Sequence, residues 1–406
     1  MQFNKIKKCI VYIGDYDLRN ENVQSHLVKN NAKIFNKLGY KVVFVGVNRF
    51  VRTFQEINSL PPLELGDNCF LELPNTLNIQ GLFKYRLVFH TVFEYLTVLE
   101  RKDGINYVIT YQSPTYAPFI KKLGIFCKKK SIPYIVNSAD IPIFDSQTFF
   151  KRIVMKYNWH LLHKYNYKYA SGVIAVSSYI DNFYKKEGRP SIIVPPLFDE
   201  SLSMDFELGN CVTFVYAGTP FIDSNTAVNP TGMKDRLDKI IDLLLNLAEV
   251  ESNFRCVIIG ITKEKYCINV PRHSDALKDN NQIIFKGRLP HSETLNVVKN
   301  ADYMINYRDA NPMTEAGLST KVVESVSLGT PVVMNSIGDT FNYLKDGLTG
   351  YKLTGRQSAD VTLLRRLCDK NEAMRQNSKK ACANNKTFSL EKYSDTLDSF
   401  FRNIRL

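Results

Sequence analysis

Short apolar runs, mostly β-branched, recur along the 406-residue chain. Each is followed by a stretch of helical length in which apolar positions return every three or four residues. In the first half the runs are CIVYIG (9–14), KVVFVG (41–46), NYVITY (106–111), PYIVNS (133–138), GVIAVS (172–177) and SIIVPP (191–196). In the second half they are VTFVYAG (212–218), RCVIIG (255–260), QIIFKG (282–287), YMINY (303–307) and TPVVMN (330–335). A strand with no apolar–polar alternation is buried on both faces, as in a parallel sheet covered by helices. Two such series predict an α/β protein of two doubly wound, Rossmann-like domains facing across a cleft. Their ligand edges would lie at the C-terminal ends of the strands.

The polar stretch LFDESLSMDFELGNC (197–211) marks the seam, giving domains of 1–200 and 201–388. The segment from 389 reads as a final helix with apolar positions at Leu390, Tyr393, Leu397 and Phe400, returning to the first domain. Hydrophobic content of 44% and charged content of 23% are those of a globular protein. No run approaches the ~18 apolar residues of a membrane span. The basic start, MQFNKIKK, leads into a strand rather than a leader, so the expected location is cytoplasmic. The eight cysteines are scattered without a C-x-x-C pair and predict neither disulfides nor structural zinc.

Two places along the second half carry chemistry. VYAGTPF (215–221) ends a strand at Gly218 and Thr219, where a bare backbone lets a ligand approach closely. Lys234 and Arg236 follow, at the predicted start of the next helix, where free N–H groups and the dipole favour an anion such as a diphosphate. The plainer alternative there is a solvated helix start with an Asp235–Lys239 pair at i, i+4. AGLSTKVVESVSLGTPVVM (316–334) places Ser319, Thr320 and Lys321 at the head of a helix, with Glu324 on the same face as Lys321. With Ser319 as N-cap, Glu324 falls too late to close a capping box. It is therefore a candidate to accept hydrogen bonds from sugar hydroxyls.

These stretches, with FKGRLPHSETLNVVKNADYMI (285–305) and YASGVIAVSSYIDNFY…IIVPPLFD (169–199), resemble the retaining, B-type glycosyltransferases of family 4. The motifs occur in the right order along most of the chain. The resemblance implies transfer of a sugar from a nucleotide-sugar donor with retained anomeric configuration. It places Lys234 on the donor diphosphate, Glu324 on the ribose, and the Arg288–Leu289 loop beside the nucleobase. With Lys234 and the helix dipoles to neutralise the diphosphate, no metal is required, and no cofactor beyond the donor is expected.

Three features depart from that pattern. The family's second acidic position, eight residues before Glu324, is Ala316, with Glu315 beside it. The arginine usual after the strand's glycine is Thr219. Arg308 or Lys321 would then complete the phosphate cluster. The first-domain loop GDYDLRNENVQSHLVKN also lacks the paired glycines common there. Asp140, after PYIVNS, stands at a strand's C-terminal edge, where it either orients the acceptor or caps a helix. Asp15-Tyr16-Asp17 has the form of a metal-binding Asp-x-Asp, but lies far along the chain from the phosphate elements and reads as a loop with solvated acids.

Charge sharpens the division of labour. Of a net +13, residues 1–200 hold 27 basic against 16 acidic side chains. Arg152, Lys156, His160, Lys164 and Lys168 recur every fourth residue among aromatics, and Lys121, Lys122 and Lys128–Lys130 add to them. Such a stripe suits an anionic membrane surface or is simply solvated, and no nucleic-acid motif accompanies it. The expectation is a peripheral membrane glycosyltransferase acting on a glycan or lipid-linked acceptor in surface polysaccharide synthesis. A nucleotide-sugar epimerase of the same fold and an inactive scaffold are the alternatives.

Overall fold

A computed structural model describes residues 8–20, 23–75, 82–111, 117–141, 149–186, 188–199, 208–221, 225–230 and 233–404. The chain forms two compact units, 1–197 with 390–406, and 198–389. The boundary expected at 200, like most of the polar seam, falls outside the described residues.

The first unit contains β1 (Lys8–Gly14), β2 (Tyr40–Asn48), β3 (Cys69–Pro74), β4 (Tyr107–Tyr111), β5 (Tyr134–Ser138), β6 (Gly172–Ala175) and β7 (Ser191–Ile193). They form one sheet in the order β3-β2-β1-β4-β5-β6-β7, every pairing parallel. The second contains β8 (Val212–Ala217), β9 (Phe254–Ile259), β10 (Ile283–Gly287), β11 (Tyr303–Ile305), β12 (Val332–Asn335) and β13 (Gly350–Leu353). Its order is β10-β9-β8-β11-β12-β13, again all parallel. The eleven apolar runs each supply a strand. The central ones, such as β8 with Phe214, Val215 and Tyr216 almost wholly buried, are covered on both faces. In both sheets the strand order reverses next to the first strand, between β1 and β4 and between β8 and β11, which creates a crevice at the C-terminal edge.

The Leu390–Asn403 helix belongs to the first unit, and buries Leu390, Tyr393, Leu397, Phe400 and Phe401 in its core. Phe401 stacks on Tyr107 with ring centroids 4.7 Å apart, and the Tyr107 hydroxyl donates to its carbonyl at 2.8 Å. Gly172 is tight for the same reason, since a Cβ there would lie 2.6 Å from Phe400.

Asp17 corrects one expectation. It is buried, and its carboxylate accepts the N–H groups of Arg19 at 3.0 Å and Arg49 at 3.2 Å. The Asp-x-Asp loop is thus folded inward around backbone donors, because a short carboxylate is a compact cap for a turn. All eight cysteines are free thiols. No described helix is long and apolar enough to cross a membrane.

Candidate functional site at the edge of the second sheet

The reversal between β8 and β11 puts Gly218 and the residues after Ile305 side by side. Arg308, two residues beyond Asn306, is held by its backbone: its N–H donates to Asn335 Oδ1 at 3.0 Å and its carbonyl accepts Asn335 Nδ2 at 2.7 Å. Its guanidinium then points at Asp235, with Nε 2.8 Å from Oδ1. The other Asp235 oxygen receives the Lys321 ammonium. Tyr216 OH lies 3.4 Å from that oxygen, and Lys321 Nζ sits 5.7 Å from the Tyr216 ring centre. Asp235 and Arg308 are each 4% exposed, so this is a buried cation–carboxylate–cation bridge. Burial alone would raise the Asp235 carboxyl, but Lys321 and then Arg308 hold it well below the usual carboxylate range.

This arrangement corrects the reading of Asp235 as a surface partner of Lys239. The helix starts only at Leu237, with Arg236 at its N-cap, so Asp235 lies outside it and the i, i+4 spacing has no meaning there. Lys239 instead reaches Asp309 at 2.7 Å. Arg236 makes a forked contact to Asp238, both bonds at 2.8 Å, and pairs with Asp309 as well. Lys234 occupies the bend before the helix with its side chain exposed.

Lys321 reaches Asp235 only because position 218 has no side chain. A Cβ on Gly218 would lie 2.1 Å from Lys321 Cε, and one on Gly260 would lie 2.1 Å from the Gly218 carbonyl oxygen. The two strand-end glycines are therefore one close-packed step over which the lysine passes.

The helix carrying Lys321 spans Thr320–Ser327, with Ser319 at its N-cap. The Ser319 side chain makes no capping bond, and its Oγ is buried without a partner among the described residues. Glu324, one turn in, also lacks a hydrogen bond to its carboxylate among the described residues. Desolvation pushes that carboxyl up to about 7 against the opposing pull of Lys321. Glu315 is engaged differently: its Oε2 accepts the Gly338 N–H at 3.0 Å.

Across the same edge lies a cavity of about 310 Å³ lined by Thr219, Phe221, Gly260, Thr262, Lys265 and Arg288, among others. Thr219 and Arg288 thus share one cavity at the ends of β8 and β10, and the half-buried Leu289 packs against the core cluster that includes Leu295 and Val298. Asp140 belongs to the first unit, where its carboxylate accepts the N–H of Ile141 at 3.0 Å. The spacing of the sequence pointed to Lys321 and Glu324 but not to the central Asp235. The available signal was Gly260, a second strand-end glycine matching Gly218.

Two parallel sheets of this order, with a cationic edge at the switch point of the second, are the fold of the B-type glycosyltransferases. Residues 232–384 match the family model Glycosyl transferases group 1. No curated protein matches the chain in sequence comparison. Among solved structures, sucrose-phosphate synthase from Thermosynechococcus elongatus superposes with a TM-score of 0.64 at 13% identity, covering 98% of this chain and 99% of that one. Anabaena HepE in complex with UDP gives 0.65 at 12% identity over 97% and 99%. The lipopolysaccharide outer core galactosyltransferase WaaB gives 0.59 at 14% over 96% and 99%. At these identities the likeness is one of fold.

Proposed function

We propose that the protein is a retaining glycosyltransferase that binds a nucleotide-sugar donor at the C-terminal edge of its second sheet. The observation that carries this reading is the head of the Thr320–Ser327 helix. There the Ser319 hydroxyl at the N-cap is buried without a partner among the described residues, and Glu324, five residues on and held up by desolvation, has no hydrogen bond to its carboxylate among them. A buried hydroxyl left without a partner costs about 1–3 kcal/mol, which a ligand's phosphate or hydroxyl would recover. Glu324 takes the ribose hydroxyls. Lys234, Lys321 and the N–H groups of the helix head take the diphosphate and stabilise the charge it gains as the sugar leaves. The cavity holding Thr219 and Arg288 takes the base. HepE, of like fold, binds UDP, which supports a nucleotide donor.

The acceptor is a glycan or a lipid-linked glycan, as in surface polysaccharide synthesis, with Asp140 of the first unit orienting it. The first unit meets an anionic membrane through the Phe149–Tyr169 helix. Lys156, His160, Lys164 and Lys168 are exposed on it, as are Phe149 (71%) and Tyr157 (65%).

Nucleotide release from UDP-, GDP- and dTDP-sugars, with and without source-cell lipid extract, tests the reading. Lipid-stimulated release from one donor, lost in Lys234→Ala and Glu324→Ala, is expected. Release without any acceptor-derived product would mean hydrolysis only. Conversion of the donor sugar without release would mean an epimerase, and binding with neither would mean a scaffold.

A further inference from the structure

A second cavity, of about 580 Å³, opens in the first unit between the Phe149–Tyr169 and Ser178–Lys186 helices. Trp159, His160, His163, Lys164, Tyr167, Phe183 and Tyr184 line it. The connectivity places it away from the ligand edge of its sheet. The first helix runs back toward β6, whose first residue, Gly172, follows Tyr167 by less than two helical turns. The second helix leaves the C-terminal end of β6 and carries Phe183 and Tyr184 in its second half, on the way to β7. Both groups of residues therefore lie toward the N-terminal ends of the strands, whereas chemistry in a doubly wound sheet sits at the other edge. This cavity is not part of a catalytic crevice.

Its walls are chemically two-sided. Trp159, Tyr167, Phe183 and Tyr184 supply an aromatic lining, and Tyr167 and Phe183 remain 42% and 40% exposed rather than filling the space. His163 lies edge-on to Trp159 with ring centres 4.1 Å apart and to Phe183 at 5.1 Å. Burial, with His160 adding to it, pushes the His163 imidazole down to about 4, so it is neutral at pH 7 and belongs to the apolar wall. At the rim stand Lys164 and His160, both exposed. Among the described lining residues there is no carboxylate. The volume falls within the roughly 300–1,000 Å³ of small-molecule sites.

We infer that this cavity binds one amphiphile, a hydrocarbon chain lying against Trp159, Tyr167, Phe183 and Tyr184 with its terminal phosphate on Lys164 and His160. The inference rests on the membrane side of the proposed function and makes it specific: the helix would capture an individual lipid phosphate in addition to adhering to a charged surface. A phospholipid of the bilayer and a prenyl-linked phosphate share this chemistry. An aromatic lining suits either chain, and the phosphate answers the cationic rim.

Trp159 is the chain's single tryptophan, so its fluorescence reports on this cavity alone. The full chain is titrated with dodecyl phosphate and with farnesyl phosphate below their micelle-forming concentrations. Dodecyl maltoside and inorganic phosphate serve as controls. The expected result is a saturable blue shift with the phosphorylated chains and none with the controls. Lys164→Gln should weaken it roughly tenfold, the loss of one charge-assisted contact, and Phe183→Ala should weaken it with circular dichroism unchanged. A preference for farnesyl over dodecyl phosphate would assign the site to a prenyl-linked lipid, and the reverse to a bilayer phospholipid. No saturation, an equal response to the maltoside, or indifference to both substitutions would overturn the inference. Sedimentation with anionic phosphatidylglycerol vesicles separates it from its premise. Vesicle binding without amphiphile saturation keeps the membrane reading and sinks the cavity, whereas saturation without vesicle binding does the opposite.

Discussion

Lys321 and Asp235, 86 positions apart in the chain, meet in a buried ion pair at the switch point of the second sheet. The lysine also belongs to the helix whose head is proposed to hold a diphosphate. The carboxylate holds both the lysine ammonium and the Arg308 guanidinium at the sheet edge. A donor's phosphate would gain a prepositioned cation at the cost of sharing it with Asp235.

Asp235→Asn should destabilise the second unit by about 3–5 kcal/mol, because it leaves the Arg308 guanidinium buried beside a neutral group. The denaturant midpoint at constant slope reads this directly. The sign of the pH dependence is fixed by the lowered carboxyl. Its contribution is fully present above the ordinary aspartate value and is lost as pH falls through the folded one. The gap between variant and parent should therefore be wide at pH 7 and shrink in acid below about pH 4. An unchanged gap would mean the bridge is not what Asp235 contributes.

Gly218→Ala should act on the donor more than on the fold. The new methyl would occupy the place of Lys321 Cε, the flexible end of a side chain that can move away. Donor affinity should fall as Lys321 is displaced, with a stability cost of about 1 kcal/mol from the backbone requirement at this position. Adding Lys321→Ala to Gly218→Ala should then cost no further affinity. Additive losses in the double-mutant cycle would show that Gly218 serves something other than the lysine.

Glu324→Gln should trade function for stability. A carboxyl held up to about 7 costs the folded state nothing below about pH 4.5, where it is protonated in both states, and progressively more as pH rises toward 7. At pH 8 the glutamine should therefore melt higher than the parent, by up to about 3 kcal/mol of stability, and the advantage should vanish at pH 4. Nucleotide-sugar affinity should drop at least about tenfold. A variant that melts lower at pH 8 would make Glu324 a structural anchor.

Phe401→Ala should cost about 3–5 kcal/mol, since the ring is fully buried against Tyr107, Phe35 and Tyr40 and its removal opens a cavity. UDP affinity, measured by calorimetry below the unfolding transition, should not change. A concurrent loss of affinity would tie the terminal helix to the donor site.

The strands that the apolar pattern missed, β3 and β13, are both edges of their sheets. An edge strand has a neighbour on one side only and tolerates polar side chains. In β3, Glu72 interrupts the run, and it is buried only because Arg19 Nε at 2.9 Å and Asn48 at 2.7 Å pay for it from elsewhere in the chain. In β13 the four residues GYKL include the exposed Lys352.

The sequence by itself determined the layered α/β architecture, because burial on both faces leaves a continuous apolar run that no local alternative explains. It also determined that Ser319, Thr320 and Lys321 head a helix, since the apolar spacing that follows them is local. Only the tertiary structure decided the charge partners. Asp235 reads beside Lys239 in the chain, yet it is Arg308 and Lys321, 73 and 86 residues away, that neutralise it. Coulomb energy depends on separation and burial in space, and both are set by which strand ends the sheet order brings together.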